Sequence, residues 1–514
     1  MELKTGMDWP PKEWAEALDA VAHDKAWLTG GVAQRRSAAN APQPVMHPTQ
    51  FNGGVVGATS RAILGKPNRR GNSAKPRHLP VAAELAGTVA DLLFGNTPRI
   101  TADERDGKQV AEAIQEYTER PVFAARLVEA GKACSATGWR FWRIRWNQEL
   151  DNHPWVEWLP ADKGFASFAD EKLTEVTFVD EYRLSEKDKT IYRMTETHKR
   201  GSIEYILWKG TTGQLGMSVP FTEIEQTAYL ADVLTEHPTI MQTNSPHMTA
   251  GMVINRATNP AWESKPHLQM YGHSDIQFGG DIWHDIDDAY TELWHEIESA
   301  RSRLLVSESL LETGAPGSGS TFDWMRDVFP LGDMASADDP GKIEAVQFQL
   351  RINEYLQALK FVTLQAVGHF GLSPMSFGMD ETATGDMTAR EVSMRMKKSV
   401  DSWRARSRYW RVGLQDALTS WAYMDALLNG YKPPKYPVSV SMVEPIQDSD
   451  ADRAATAAEW KNSESASIRT RVRHLHPEWG DTEIDAEVAA LEKELGIGRQ
   501  ADNPFLLAPD EPIE

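Results

Sequence analysis

The sequence predicts a multidomain α+β protein in which long amphipathic helices bracket one antiparallel β-region and a small helical lobe closes the chain. Three observations lead there. The chain has 514 residues, more than one ordinary hydrophobic core holds, with 41% hydrophobic and 25% charged residues in the proportions of a folded soluble protein. Apolar residues recur at helical spacing in long windows, whereas from about 139 to 232 the period drops to two. Residues 445–514 hold 16 Asp and Glu against 7 Lys and Arg, and this composition shift marks a separate acidic lobe.

The elements follow in order. Residues 1–78 are rich in polar residues, Gly and Pro and read as an N-terminal arm. Within it, 65–78 carries Lys66, Arg69, Arg70, Lys75 and Arg77 without an acid, a basic loop that is either solvated or set against nucleic acid or a neighbouring subunit. HLPVAAELAGTVADLLFGNTPRI (78–100) begins a helix with Val81, Leu85, Val89 and Leu92/Leu93 on one face and Gly95 as its stop. A second helix is expected at about 107–135. RFWRIRW, HPWVEWL, LTEVTFVDEYRL, TIYRMTETHK and SIEYILWKG form an antiparallel meander, with HKRGS (198–202) as a hairpin turn.

The middle of the chain is helical again. Over 281–303 one stripe holds Ile282, Ile286, Ala289/Tyr290, Leu293 and Ile297, beside a ridge of Asp281, Asp285, Asp288, Glu292 and Glu296. Two strand-like runs, RLLVSESLLE and KIEAVQFQ, flank GAPGSGS (314–320) and DWMRDVF. A long helix is expected at 349–371, with Ile352, Leu356, Leu359, Val362 and Val367 apolar. GLSPMSFGMDETATGD (371–386) breaks it: Gly371 serves as C-cap, and about 14 residues without regular structure follow. Helix 387–428 begins strongly basic, with eight bases and two acids over 390–411. Helical segments at 449–463 and 481–496 make the acidic lobe, and 501–514 reads as a loose tail.

Charge and cysteine content narrow the function. Acids outnumber bases 74 to 54, for a net charge of −20, which argues against a surface that grips nucleic acid throughout. Cys134 is the only cysteine, so no intrachain disulfide or cysteine-rich metal site forms, as suits a reducing compartment. Neither a membrane span nor a secretion signal is evident.

No catalytic constellation emerges. GAPGSGST (314–321) resembles a phosphate loop but lacks the Lys before Ser/Thr. His295-Glu296 lacks the second His of a zinc helix, and His474 and His476, both able to meet a metal if on a strand, have no completing ligands. DSDADRAATAAE (448–459) copies part of an EF-hand loop, but Arg453 stands where the turn needs Gly. The carboxylates of 281–298 lie along one helix flank rather than converging, so a solvated face accounts for them better than a two-metal site.

Four words in order carry a resemblance: HLPVAAELAGTVADLLFGNTPRI, YGHSDIQFGGDIWHDIDDAYTEL, FQLRINEYLQALKFVTLQAVGHFGLSPMSFG and ETATGDMTAREVSMRMKKSVDSWRARSRYW. Together they resemble the portal proteins of tailed double-stranded DNA bacteriophages, over about 75–510. The resemblance implies a ring, usually of twelve subunits, at one capsid vertex of the virion, assembled in the host cytoplasm. It implies a wing at 79–280, a stem of helices 281–303 and 349–371, a clip at 304–348 and a tunnel loop at 372–388. A returning wing helix at 389–443, a crown at 444–500 and a flexible tail complete it. Implied partners are further copies of the chain, double-stranded DNA in the channel, terminase, a head-completion or adaptor protein and the major capsid protein, with no cofactor, metal or membrane.

Candidate residues follow from these parts. An amphipathic helix 281–303 that cannot bury its stripe alone suits a head-to-tail ring interface through Ile286, Leu293 and Ile297. In the clip, Trp324, Arg326 and Phe329 are expected to dock a partner or to form a small local core. In the loop, Met375, Phe377, Met379, Asp380, Glu381 and Asp386 are expected to face DNA, since a base-free acidic loop touches phosphates without holding them. The basic helix is expected against the acidic face of a neighbour, with a band facing DNA as the other reading. Two other functions remain open: a carboxylate metal-dependent nuclease using 281–298, and a cytosolic scaffold or adaptor acting through the acidic lobe.

Overall fold

Helices and strands follow in a computed structural model that describes residues 3–30, 77–185, 189–234, 237–299, 303–305, 312–313, 320–321, 344–346, 351–380, 389–445, 450–476 and 479–496. The chain divides into two units, residues 1–381 with 396–445 and residues 382–395 with 446–514.

The larger unit opens with a helix that composition had hidden. α1 (Lys12–Thr29) begins after Pro11 and ends at Gly30, and it buries Trp14, Ala17, Val21 and Trp27. The expected polar arm is therefore, over this stretch, part of the core. α2 (Val81–Phe94) buries Val81, Leu85, Val89 and Leu93 as its periodicity requires. The single helix expected at 107–135 is two, α3 (Lys108–Thr118) and α4 (Pro121–Thr137). Pro121 explains the break: it has no N–H to continue α3, and it is accommodated at the first position of α4.

The meander is likewise two sheets. β2 (Trp139–Arg145) pairs with β3 (Trp155–Leu159) and, on its other side, with β10 (Ala250–Ile254), while β1 (Arg99–Thr101) pairs with β15 (Ser439–Ser441). The second sheet runs β4 (Gly164–Ala169), β5 (Lys172–Tyr182), β6 (Ile191–Lys199), β7 (Ser202–Thr211) and β8 (Gln214–Val219), with β9 (Ile240–Gln242) added to β7. The β6–β7 hairpin turns at Arg200 and Gly201 with Lys199 opposite Ser202, as HKRGS predicts, and Gly201 takes φ 82°. α5 (Glu225–Val233) covers this sheet's aromatic face, where Tyr192, Ile203, Leu207 and Leu230 form one cluster.

α6 (Gly280–Ser299) and α7 (Ile352–His369) pack antiparallel, Trp283 meeting Phe370 at one end and Arg351 meeting Glu296 at the other. Between them β11 (Arg303–Leu305) pairs with β14 (Glu344–Val346), and β12 (Glu312–Thr313) with β13 (Ser320–Thr321). Trp324, Arg326 and Phe329 lie outside the described residues.

The apolar stripe of α6 differs from expectation. Ile286 is 1% exposed and Leu293 is 7% exposed within the chain itself, and only Ile297, at 38%, stays open. Ile286 joins Trp283, Phe370, Val367 and Trp27 in the main core, so this part of the stripe is closed within the chain itself. The 387–428 helix is also divided, into α8 (Ala389–Arg395) and α9 (Lys397–Asn429). α9 is the longest helix described, and Trp403, Trp410, Leu414, Leu418 and Trp421 hold it in the main core. Gly413 lets it lie against β10, because any Cβ there would run into the Val253 side chain.

In the smaller unit, which also holds α8, the acidic lobe has three described helices where two were expected, α10 (Asp450–Asn462), α11 (Ile468–Leu475) and α12 (Asp481–Leu495). Ser467 caps α11 by accepting from Thr470 N–H at 3.2 Å, and Arg469 pairs with Asp485 at 3.1 Å. His474 sits in the last turn of α11 against Trp460, rather than on a strand. Asp450–Asn462 is helix, so the EF-hand-like word does not form a loop there.

Candidate functional site

The segment after α7 is built from the helix end outward. α7 stops because Gly371 takes φ 75°, a left-handed conformation that costs a glycine little. Leu372 N–H then donates to Val367 C=O at 3.0 Å and Gly371 N–H to Gly368 C=O at 3.1 Å, a paired cap that satisfies the last carbonyls. The expected irregular loop has a short 3₁₀ turn at its root, Pro374–Phe377, closed by Gly378 in a left-handed conformation. Met379 N–H returns to Pro374 C=O at 3.0 Å.

Two polar groups of contacts fix this root to the core. Ser399 Oγ, at the start of α9, accepts from Ser373 N–H at 2.8 Å and meets Ser373 Oγ at 2.9 Å and Ser376 Oγ at 2.5 Å. Below it, the buried Arg406 of α9 donates to Phe370 C=O at 2.9 Å and to Asp275 Oδ1 at 2.8 Å, and it also reaches Ser402 Oγ. Asp275 Oδ2 accepts from Ser135 Oγ at 2.7 Å and from Asn255 at 2.8 Å. Burial works to raise the Asp275 carboxyl, but the Arg406 and Arg256 guanidiniums and these hydrogen bonds hold it below the usual carboxylate range. One arginine thus ties the α7 terminus to α9 and, through Asp275, to α4.

The sequence-predicted residues fall out as follows. Met375, Phe377, Met379 and Asp380 are all half-buried in this root, with Phe377 packed on the main core. Glu381 and Asp386 lie outside the described residues. Asp281, Asp285, Asp288 and Glu292 form an exposed ridge on α6, and the hydrogen bond from Arg351 holds the Glu296 carboxyl low. Among the described residues no three His, Cys, Asp or Glu converge to hold a metal. Part of the basic run is used within the chain: Arg406 on Asp275, Arg404 on Glu444 at 3.1 Å, and Lys398 on Gly368 C=O at 2.8 Å. Arg408 and Arg411 are exposed.

The sequence matches the family described as phage portal protein, SPP1 Gp6-like, over residues 60–495. The chain belongs to that portal family. The match spans both long central helices, the β-region and all three helices described in the acidic lobe. Among solved structures, this portal protein is similar to the neck of an empty GTA particle computed with C6 symmetry, at 12% identity and a TM-score of 0.40, over 82% of this chain and 94% of that one. It is also similar to the virion of a native gene transfer agent particle, at 12% identity and a TM-score of 0.39, over 87% of this chain and 98% of that one. No curated protein matches it. Sequence reasoning missed Arg406 and Asp275, because an isolated charge pair 131 residues apart leaves no local pattern. The apolar spacing around Arg406, with Trp403 and Trp410 flanking it, was the available signal.

Proposed function

We propose that this portal chain assembles head to tail into a closed ring of about twelve copies at one capsid vertex, and that double-stranded DNA passes through the ring during packaging and ejection. The ring is a conduit and docking platform rather than an enzyme. In this reading α6 and α7 are the stem, 304–348 is the clip that meets terminase and a head-completion protein, and the rim of the larger unit meets the major capsid protein. The acidic lobe is the crown, and assembly takes place in the host cytoplasm.

The observation that carries the reading is the segment after α7. No Lys or Arg occurs between 371 and 389, and its first ten residues are rooted by the double cap, the serine cluster and Arg406. A segment without cations displaces no counterions from a passing phosphate backbone, so DNA slides past it. Replacing Asp380 and Glu381 together with Lys is expected to leave ring assembly intact and slow packaging, most at low salt, where new phosphate contacts are least screened. Equal packaging rates for wild type and variant at both low and high ionic strength would remove this segment from the DNA path.

A further inference from the structure

Sheet edges are hazards unless covered, and this chain covers stretches of β3, β4 and β8 with its own groups. Along β3, Val156 N–H donates to Tyr117 OH at 2.9 Å and Trp158 C=O accepts from Arg140 at 3.1 Å. Along β4, Tyr271 OH takes the Ala166 N–H at 2.7 Å and donates to its C=O at 3.2 Å. Along β8, the N-terminal residues supply Gly6 N–H to Gly216 C=O and accept at Met7 C=O from Leu215 N–H.

Along β10 no such cover is present among the described residues. Ile144 N–H donates to Thr249 C=O and Asn255 N–H to Gly138 C=O, which fixes the odd-numbered residues of β10 as those bonded to β2. The N–H and C=O groups of Ala250, Met252 and Ile254 therefore point the other way. None of them has a hydrogen-bond partner among the described residues. They open into a cavity of about 760 Å³ lined by Phe168, Met248, Met252, Met270, Tyr409 and Val412. Val412 is 52% exposed and Tyr409 39% exposed at its mouth. An open strand edge beside a methionine-rich slot has the shape and chemistry to take one more strand.

We infer that in the assembled particle an extended strand from residues 31–76 of a second copy of this chain fills the slot and pairs with β10. The inference rests on the ring reading above. Residues 31–76 hold seven Lys and Arg and no Asp or Glu, leaving −27 on the rest of a chain whose total is −20. Bodies so charged repel one another, and passing a +7 segment across the interface offsets that repulsion. Its 46 residues reach roughly 150 Å when extended, far enough to cross to a neighbour. Its flanks stay on their own subunit, through Lys25 on Asp162 and Arg77 N–H on Thr291 Oγ1. Within it, FNGGVVGATSRAIL (51–64) supplies Val55, Val56, Thr59 and Ile63, residue types that suit a strand.

Cys134, the only cysteine, is buried, so introduced thiols report cleanly. Full-length Val56→Cys and Val412→Cys chains, mixed, assembled and oxidised, should give a covalent dimer that neither variant gives alone. Met252→Pro removes one outward N–H at an edge position where proline is tolerated. It should leave the isolated subunit folded, read by circular dichroism, while lowering both the cross-link and the ring yield at least tenfold. Wild-type rings without a cross-link, or full ring yield from Met252→Pro, would overturn the strand exchange and leave the ring reading standing. Absence of rings from wild-type chains would overturn both.

Discussion

Arg406 shows how much of this protein is held by single buried charges. It is 1% exposed and its partner Asp275 is buried completely, so each is tolerable only while the other is present. Arg406→Met is expected to lower stability by about 3–5 kcal/mol, read as a shift of the denaturant midpoint at constant slope. A second such group lies where β2 meets β6. Glu196 accepts from Arg143 at 2.7 Å and from Arg145 at 3.2 Å, and His198 Nε2 lies 3.0 Å from it. Burial pushes the Glu196 carboxyl up, but His198 and the two arginines outweigh it and bring it down to about 2. Both carboxyls are depressed in the folded state, so their stabilisation is fully present above the unfolded values near 4 and is lost as pH falls through the folded ones. Asp24 has the opposite sign, because burial raises it. The test is therefore a comparison: between pH 5 and 2.5, wild type should lose more stability than Arg406→Met, which lacks the Asp275 share. Parallel pH curves would show that the pair contributes nothing to acid sensitivity.

At the scale of elements, α6 shows where periodicity stops being informative. The 3.6-residue spacing of Ile282, Ile286 and Leu293 identified the apolar face, but it could not say whether α7 or another subunit covers that face. The structure closes its Ile282 and Ile286 part with the main core. Ile286→Asp is accordingly expected to unfold the subunit, by burying an unpaired carboxylate, and circular dichroism would show it. Phe361, at 63% exposure, and Leu356, at 47%, are apolar residues on α7 that the subunit itself leaves open. Phe361→Asp should leave the monomer's melting temperature within a few degrees of wild type and abolish ring assembly. Unimpaired rings would place the interface away from this face. Close packing gives a further case: Gly413→Ala would drive α9 off Val253 and cost about 1–3 kcal/mol, measured by equilibrium unfolding. Pro121 carries the signal for the break between α3 and α4, and Trp14, Ala17 and Val21 carry that for α1, repeating at helical spacing inside a polar stretch. The β6–β7 hairpin and the Gly371 cap were legible because local chemistry alone dictates them. The return of β10 to β2 was not, since it joins residues over 100 positions apart.

At the scale of the whole molecule, the family was legible from four sequence words in order, and the family match over 60–495 contains all four. The candidate site was legible only in part: the helix break at Gly371 and Pro374 follows from local chemistry, but the anchoring of the segment on Arg406 and Ser399 depends on tertiary contacts. The central claim is that identical copies of this chain, each carrying −20, close into a ring that DNA traverses. Electron microscopy of the purified full-length chain, paired with native mass spectrometry of the same sample, tests it most directly. The account predicts closed rings with a central opening wide enough for duplex DNA and a mass that is a whole multiple, about twelve, of 57.5 kDa. A monomer at every concentration and salt tested, or open filaments without closure, would contradict it.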